Sequence, residues 1–327
     1  MAMHRRDVLR GLGTAALATA APHGAWAQVY PDRPVKVVVP FAAGSASDVV
    51  GRVVLERMAT DLGQPFVFEN QPGAGGNSGT NVVAKADPDG YRLTVTASGP
   101  FAVNRTLTKN LPYNPEADFE PISLLARLPN VVTVSAKLPI NNLKELIEYA
   151  KSNPGKLNYS SVGPGSSQHL AGLLCQQLTG TTMVHVPYRV TGQLVTDLIT
   201  GAVPLSFQLI PNVLGQIRGG EARALAVTAA TRSASLPEVP TTAEAGLPGF
   251  ECAGWFALLA PKGTPKAIVD KLNASAVAAL KDEAVRKRLV DIGADPESSS
   301  PDELAKLISS EIVKWRDVIV KAGLQPE

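Results

Sequence analysis

The sequence predicts an α/β fold in which parallel strands alternate with helices. Three observations lead to this prediction. An apolar strand, a loop of small residues and an amphipathic helix recur in that order along the chain. The chain has 327 residues, enough for about two domains of roughly 100–200 residues each. Its composition is globular, with 45% hydrophobic and 18% charged residues.

The first 27 residues have the three parts of an export signal. Arg5 and Arg6 open a basic region, an uncharged stretch covers residues 11–21, and a small-x-small cleavage site ends at Ala27. The uncharged stretch is too short to span a bilayer, and the paired arginines fit a twin-arginine leader. A buried N-terminal helix is the alternative for this segment. We predict export from the cytoplasm and removal of residues 1–27.

Four segments of the mature chain show the strand–loop–helix order. Runs of β-branched and aromatic residues indicate the strands, and apolar residues at helical spacing indicate the helices. Ser47, Ser78 and Ser167 stand where N-cap residues are expected. The four segments are VKVVVPF–AAGSAS–DVVGRVVLERMA, FVFEN–QPGAGGNS–GTNVVAKA, LNYSSV–GPGSS–QHLAGLLCQQL and VHVPY–RVTG–QLVTDLIT.

The small residues at these junctions have a chemical consequence. The first-turn amides of a helix have no internal partner, and the helix dipole adds positive charge there. Gly, Ala and Ser let a ligand approach this backbone, so an anion can bind without Arg or Lys. Ligands of open α/β sheets bind beyond the carboxyl ends of the strands. Loops of this kind in both halves predict a cleft with an anion-binding loop on each wall.

The remaining segments of the chain predict packing helices and a connection between the lobes. Amphipathic helices are expected after Pro265 and after Pro301. The proline-rich stretch over residues 236–249 is the best candidate for a connection between lobes. Two cysteines, Cys175 and Cys252, make neither a disulfide framework nor a zinc cluster, and the sequence leaves their pairing open.

Several function classes are disfavoured. The formal net charge is only +2, which argues against a nucleic-acid binder that neutralises phosphates. HExxH, Walker A and G-x-S-x-G motifs are missing from the sequence, and we expect no metal and no cofactor. The alternative that remains is a small-molecule hydrolase that uses Ser166 or Ser167 with His169.

Motifs along the mature chain resemble a known family. Pro40-Phe41-Ala42-Ala43-Gly44-Ser45-Ala46-Ser47-Asp48 with Arg52 resembles PFxxGGxxD…R, and residues 69–79 resemble ENxPGAGGxxG. These are motifs of the Bug-type periplasmic solute-binding proteins, the TctC-like receptors of tripartite tricarboxylate transporters. Further matches, in order along the chain, include PDGY from Pro88, LPY from Leu111, PGKL from Pro154, HVPY from His185, RALAV from Arg223 and APKGTP from Ala260.

The resemblance implies a two-lobed type II periplasmic-binding-protein fold with a ligand cleft between the lobes. One lobe would contain residues 28–126 and 248–327, and the other residues 127–247. It also implies a monomeric, periplasmic receptor that captures a small organic carboxylate and presents it to membrane transporter subunits. Delivery to a sensor instead of a transporter is an alternative that the sequence leaves open.

The resemblance further implies which residues bind the ligand. The loops of the first lobe would contact it largely through backbone groups and bridging waters, and the opposing wall would contribute hydroxyl, imidazole and amide side chains. A structural role of Asp48 at the helix start is an equal alternative to ligand contact. The expected residues are Phe41, Ala43, Gly44, Ser45, Ser47, Asp48, Ala74, Gly75, Gly76, Asn77, Ser98, Ser161, Ser166, Ser167, His169, Tyr188, Arg189 and Gln208.

Two departures from the family pattern concern the ligand. The family commonly has Y-K-G-G after the HVP strand, where this chain has Tyr188-Arg189-Val190-Thr191. An Asp is also common where Gln208 follows Phe207, and a carboxylate there could receive a ligand ammonium. We therefore expect a ligand without an amino group. Arg189 could take a second carboxylate bidentately, or pair with a surface acid instead.

Overall fold

A computed structural model describes residues 30–163, 165–188 and 190–326. The predicted export signal and Arg189 therefore lie outside the described residues. The strands are β1 (Val35–Val39), β2 (Phe66–Asn70), β3 (Arg92–Ala97), β4 (Phe119–Ser135), β5 (Asn158–Ser161), β6 (Val184–Pro187), β7 (Leu205–Leu209), β8 (Ala222–Val227), β9 (Ala253–Pro261) and β10 (Asp295–Pro296). Together with the helices they form a mixed α/β fold, as predicted.

The helices follow the strands in the predicted order. Their N-caps include Ser45, Gly76 and Ser166, so the predicted caps at Ser47, Ser78 and Ser167 were wrong by one or two residues. The helices are α1 (Ala46–Leu62), α2 (Asn77–Ala84), α3 (Asn104–Leu107), α4 (Leu143–Ser152), α5 (Ser167–Thr179), α6 (Thr191–Thr200), α7 (Ile210–Arg218), α8 (Lys266–Lys281), α9 (Glu283–Asp291) and α10 (Pro301–Lys321). A 3-10 turn (Ala74–Gly76) precedes α2, and a π-helix (Gly99–Val103) leads into α3.

The long strand β4 belongs to two sheets. Its first part, through Pro129, pairs antiparallel with β9, and its second part, from Asn130, pairs antiparallel with β7 and β8. In the first sheet β1 pairs parallel with β2 and β3, and in the second β5 pairs parallel with β6 and β7. The lobe boundaries after residues 126 and 247 stay a prediction.

Strand directions bring the loops together. β4 is antiparallel to β9, which is antiparallel to β3, so β4 leaves the first sheet at the edge where β1–β3 end. In the second sheet the end of β7 pairs with Asn130, where β4 enters. The carboxyl ends of β1–β3 and of β5–β7 therefore face the same junction, which is where the ligand is expected.

The core runs across this junction. One buried cluster contains Phe101 of the π-helix, Trp255 of β9, Phe207 of β7, and Ile308 and Ile312 of α10. Helix α10 packs against α3, α5 and β4. Burial of these large apolar side chains is the main term that stabilises the fold.

Two further features complete the description. Cys175 and Cys252 are buried free thiols, which answers for this structure the question that the sequence left open. Across the described residues, none of the helices combines the length and the apolar content needed to cross a membrane.

Candidate ligand-binding site

The loop between β1 and α1 is organised by Asp48. Its carboxylate, only 4% exposed, accepts hydrogen bonds from the Gly44 amide (2.9 Å), Arg52 Nε (3.0 Å) and Asn70 Nδ2 (3.1 Å). Burial opposes ionisation of Asp48, but the hydrogen bonds from Arg52, Gly44 and Asn70 outweigh it, so the pKa of Asp48 is lowered. The side chain of Asp48 therefore shapes this loop through contacts within the protein.

The same loop presents its backbone at the start of α1. The Ser45 hydroxyl caps the helix by accepting from the Asp48 amide, and Asn70 donates to the Phe41 carbonyl. Ala43 and Gly44 are exposed, whereas Ser47 is buried. The amides of the first helical turn thus lie beside a short exposed stretch that has no bulky side chain, as close approach of an anion requires.

The loop between β2 and α2 adopts left-handed backbone conformations. Gly75 and Gly76 have φ of 64° and 94°, and Ala74 has φ of 47°. Glycine tolerates these angles because it lacks a Cβ atom. A Cβ at Gly76 would lie 2.7 Å from Pro100 Cγ, so the turn packs closely on the residues that follow Ser98. Ala74 and Gly75 remain exposed.

The side chain of Asn77 holds this second loop in place through hydrogen bonds. Its Oδ1 accepts from Asn104 Nδ2 (2.6 Å) and from the Tyr113 hydroxyl (2.9 Å), and its Nδ2 donates to Thr108 Oγ1 (3.3 Å). Asn104 Nδ2 also donates to the Gly75 carbonyl. Asn77 is 5% exposed, and its hydrogen bonds tie the turn to the α3 region. Asn77, like Asp48, holds backbone amides in place.

The opposing wall begins with the loop between β5 and α5. Ser166 is the N-cap of α5: its hydroxyl accepts from the His169 amide and donates to the Gly163 carbonyl (2.6 Å). Ser161 Oγ lies 2.5 Å from His185 Nε2 and accepts from the Gly163 amide. A Cβ at Gly165 would lie 2.7 Å from Leu107 Cδ1, so this loop touches α3 across the junction.

Two histidines stack behind that loop. The rings of His169 and His185 are 4.1 Å apart between centroids, and His169 Nδ1 accepts from the Gly165 amide (3.1 Å). Burial, reinforced by His185, lowers the pKa of His169 to about 4, and burial also lowers the pKa of His185. Both imidazoles are therefore neutral at pH 7 and add no positive charge to the wall.

Ser166 and His169 do not have the mutual geometry that was predicted for a Ser–His hydrolase. The Ser166 hydroxyl donates to a carbonyl rather than to His169, and His169 Nδ1 is occupied by the Gly165 amide. Among the hydrogen bonds of residues 30–163, 165–188 and 190–326, none joins a carboxylate to either histidine. Such catalysis needs a nucleophile that is hydrogen-bonded to a base, and an acid that orients the base from its other side.

The loop between β6 and α6 contributes Tyr188. Its hydroxyl donates to Asp197 Oδ2 (2.6 Å). Burial, and to a smaller extent this hydrogen bond, raises the pKa of Tyr188 to about 12. The hydroxyl of Tyr188 is therefore held by Asp197 of α6, the helix that follows its loop. Val190 is the N-cap of α6 and supplies no side-chain hydrogen bond. The predicted contact of Arg189 lies outside the described residues.

The end of β7 carries an amide cluster. Gln208 is fully buried, and its Oε1 accepts from Gln168 Nε2 (2.8 Å), Asn212 Nδ2 (2.9 Å) and the Leu209 amide (3.0 Å). Ser167 Oγ lies 3.4 Å from Gln168 Oε1. The cluster thus occupies the first turns of α5 and α7.

The structure also places residues in the site region that sequence analysis did not select. Asn70 and Arg52 hold the first loop, Asn104 holds the second, and Gln168 and Asn212 hold Gln208. Arg52 and Asn70 stood within the quoted motifs and could have been found there. The others are polar residues on helices whose partners lie far away in sequence, and no local pattern marks them.

The fold and the loops can now be compared with known proteins. A sequence profile described as "Tripartite tricarboxylate transporter family receptor" matches residues 50–324. The chain belongs to this family. Protein BugT of Bordetella pertussis (strain Tohama I) is 38% identical over 324 residues, which cover 99% of this chain and 99% of that protein.

Solved structures of similar sequence give the same fold. The periplasmic binding protein BugD has a TM-score of 0.75 and 38% identity, covering 91% of this chain and 100% of that chain. R. palustris Rpa4515 with adipate has a TM-score of 0.79 and 37% identity, with coverage of 91% and 100%. MatC of Rhodopseudomonas palustris with bound malate has a TM-score of 0.73 and 38% identity, covering 89% of this chain and 100% of that chain. The predicted fold class and the resemblance to Bug-type receptors are confirmed.

Proposed function

We propose that this protein is a periplasmic receptor that captures a small organic carboxylate and delivers it to membrane subunits of a tripartite tricarboxylate transporter. One observation carries the proposal: the exposed small-residue loops that start α1 and α2 face the second sheet across the junction. Family membership and the neighbours bound to adipate and malate support the ligand class.

The ligand carboxylate lies against the first-turn amides of α1 and α2. Ala43, Gly44, Ala74 and Gly75 leave the backbone open there, and water molecules bridge the remaining distance. Neutral His169 on the facing wall neither repels nor strongly attracts the acid. Binding by aligned amides needs no lysine or arginine, which agrees with the small net charge of the chain.

Capture involves closure of two lobes, residues 28–126 with 248–327 and residues 127–247. The two connections that cross between the sheets lie side by side, since the Asn130 amide donates to the Cys252 carbonyl (3.2 Å). Paired crossing strands of this kind form a hinge. The receptor acts as a monomer, is not an enzyme, and is exported by residues 1–27, whose paired arginines fit a twin-arginine leader.

The amide at position 208 disfavours amino acids. Its Oε1 already accepts three hydrogen bonds, so it has no capacity left for a ligand ammonium, and it carries no full negative charge. Glutarate should therefore bind more tightly than glutamate in parallel calorimetric titrations. Tighter binding of glutamate would overturn this preference.

A thermal-shift screen of refolded, ligand-free protein from Gln28 onward tests the proposal. The panel contains mono-, di- and tricarboxylates, aromatic acids, amino acids and neutral analogues. An acid at about 100 times its Kd adds about 2.7 kcal/mol to the free energy of unfolding, a shift of several degrees. A selective shift with the acid recovered unchanged supports the receptor. No shift from any acid, or conversion of the acid, argues against it.

A further inference from the structure

Gln208 has a side-chain amide that is satisfied on one side only. The side chain is fully buried, and Oε1 is the acceptor of three hydrogen bonds. Within the described part of the chain, Nε2 has no hydrogen-bond partner. A buried donor without an acceptor is costly, and native proteins rarely keep one without a reason.

The orientation of this amide is fixed by its neighbours. The Leu209 backbone amide can only donate, so the atom that faces it must be the oxygen of Gln208. Asn212 Nδ2 and Gln168 Nε2 donate to the same oxygen. A rotation of the amide by 180° would place its NH2 group against the Leu209 amide, which can only donate. The nitrogen therefore keeps its position while the oxygen is held.

Gln208 lies at the edge of the second sheet where the ligand is expected. Gln208 is the next-to-last residue of β7, and its partners are in the first turns of α5 and α7. This is the carboxyl edge of the second sheet, across the junction from the loops of α1 and α2. An acid anchored by one carboxylate at those loops extends toward this edge. The nitrogen is enclosed by protein, so neighbouring side chains must shift to admit an acceptor.

We propose that Gln168 and Asn212 hold Gln208 as a hydrogen-bond donor that selects acids carrying a second oxygen acceptor at the end away from the anchored carboxylate. The acceptor is a carboxylate or hydroxyl oxygen, and an ammonium group is rejected because Nε2 can only donate. This inference rests on the proposed carboxylate receptor and adds the chemical class of the distal group.

The test compares acids that differ only in the distal group. For four-, five- and six-carbon chains, the ω-methyl, ω-hydroxy, ω-carboxy and ω-ammonio acids are titrated calorimetrically into wild-type protein and into Gln208→Glu. In the variant, the three donors that face Oε1 remain and donate to a carboxylate oxygen, so we expect the variant to fold. Gln64→Glu, before the amino end of β2, is the control for added charge.

Wild type and Gln64→Glu should bind the ω-carboxy or ω-hydroxy acid about tenfold more tightly than the ω-methyl acid, and the ω-ammonio acid most weakly. The Gln208→Glu variant should bind the ω-carboxy and ω-hydroxy acids about tenfold more weakly than wild type does, and it should bind the ω-ammonio acid more tightly. Asn212→Leu, which removes one of the three donors to Oε1, should reduce the discrimination without reversing it.

Two failures are distinguishable. If wild type binds acids and Gln208→Glu keeps the wild-type order of affinities, the inference about Gln208 is wrong while the receptor function stands. If no acid of any length binds wild type, the receptor function itself fails. An ω-methyl acid that binds wild type as tightly as its oxygen-bearing partners would also overturn the inference.

Discussion

The carboxylate of Asp48 is engaged by groups of the protein itself. Both carboxylate oxygens accept hydrogen bonds from groups of the protein. Asp48→Ala should lower the free energy of unfolding by about 1–3 kcal/mol, because the Gly44 amide and Asn70 lose an acceptor. It should also weaken acid binding, since the loop loses its shape.

Urea unfolding measures this effect. Asp270→Ala is the matched control, because Asp270 pairs only with the exposed Lys266 on the surface of α8 and such pairs contribute little. An Asp48→Ala protein as stable as the control, with unchanged affinity, would show that the Asp48 network does not organise the loop.

His169 gives the stability a pH dependence. Its pKa of about 4 lies below that of an unfolded histidine, near 6.5, because the side chain is buried beside His185. As the pH falls from about 7 to 4, the imidazole of His169 is therefore protonated in the unfolded chain but stays neutral in the folded protein. The contribution of His169 to the free energy of unfolding is therefore complete above about pH 7 and is lost as the pH falls toward 4.

Replacing this histidine should reduce the decline. The urea midpoint of His169→Gln should fall less between pH 7.5 and 4.5 than that of the wild type. A residual slope remains, because burial also lowers the pKa of His185. Equal declines in variant and wild type would mean that His169 is not held neutral by the fold.

At the scale of elements, the turn before α2 depends on glycine. Gly76 has φ of 94°, and a Cβ there would lie 2.7 Å from Pro100 Cγ. Gly44 has φ of 78°, but a Cβ there would contact nothing within 4 Å. Gly76→Ala should therefore destabilise the protein by about 1–3 kcal/mol more than Gly44→Ala, because only Gly76→Ala adds overpacking to backbone strain.

Unfolding in urea separates the two contributions, with Gly44→Ala reporting the strain alone. Similar losses in both variants would show that the turn yields to an added methyl group. The contact between Gly76 and Pro100 would then not position the loop against the residues after Ser98.

The alternating strands and helices could be predicted from the sequence, but the strand β4, which joins the two sheets, could not. β4 contains Pro121 and Pro129, which cannot donate to a ladder and argue against a strand. In the structure Pro121 stands at a register shift, and Pro129 stands where β4 changes partners. Proline is tolerated at these two positions because the regular ladder is interrupted there, and these interruptions depend on strands that are distant in sequence.

The same distinction applies to the site. Small-residue loops were visible in the sequence because glycine and serine mark strand–helix junctions. The hydrogen bonds that hold them were not visible, because Asn104 and Tyr113 are distant in sequence from Asn77. The amide cluster of Gln208 likewise joins residues 40 positions apart.

At the scale of the whole molecule, closure about the crossing strands is the expected response to ligand. Thr228 lies at the crossing, with Oγ1 2.9 Å from the Asn130 carbonyl and 2.5 Å from the Cys252 carbonyl. A bound acid that contacts both walls favours the closed form by its extra contacts. Small-angle scattering should give a smaller radius of gyration with the acid than without it. An unchanged radius at saturation would contradict hinge closure.

The most direct test of the account is an experimental structure of the mature protein with the acid that binds most tightly in the screen. We expect one carboxylate of the ligand at the first-turn amides of α1 or α2, directly or through one water, with its far end toward Gln208. An acid bound elsewhere would contradict the account. The cavity of about 540 Å³ that is lined by Phe119, Lys262 and Ser309, at the amino end of β4, would be such a place.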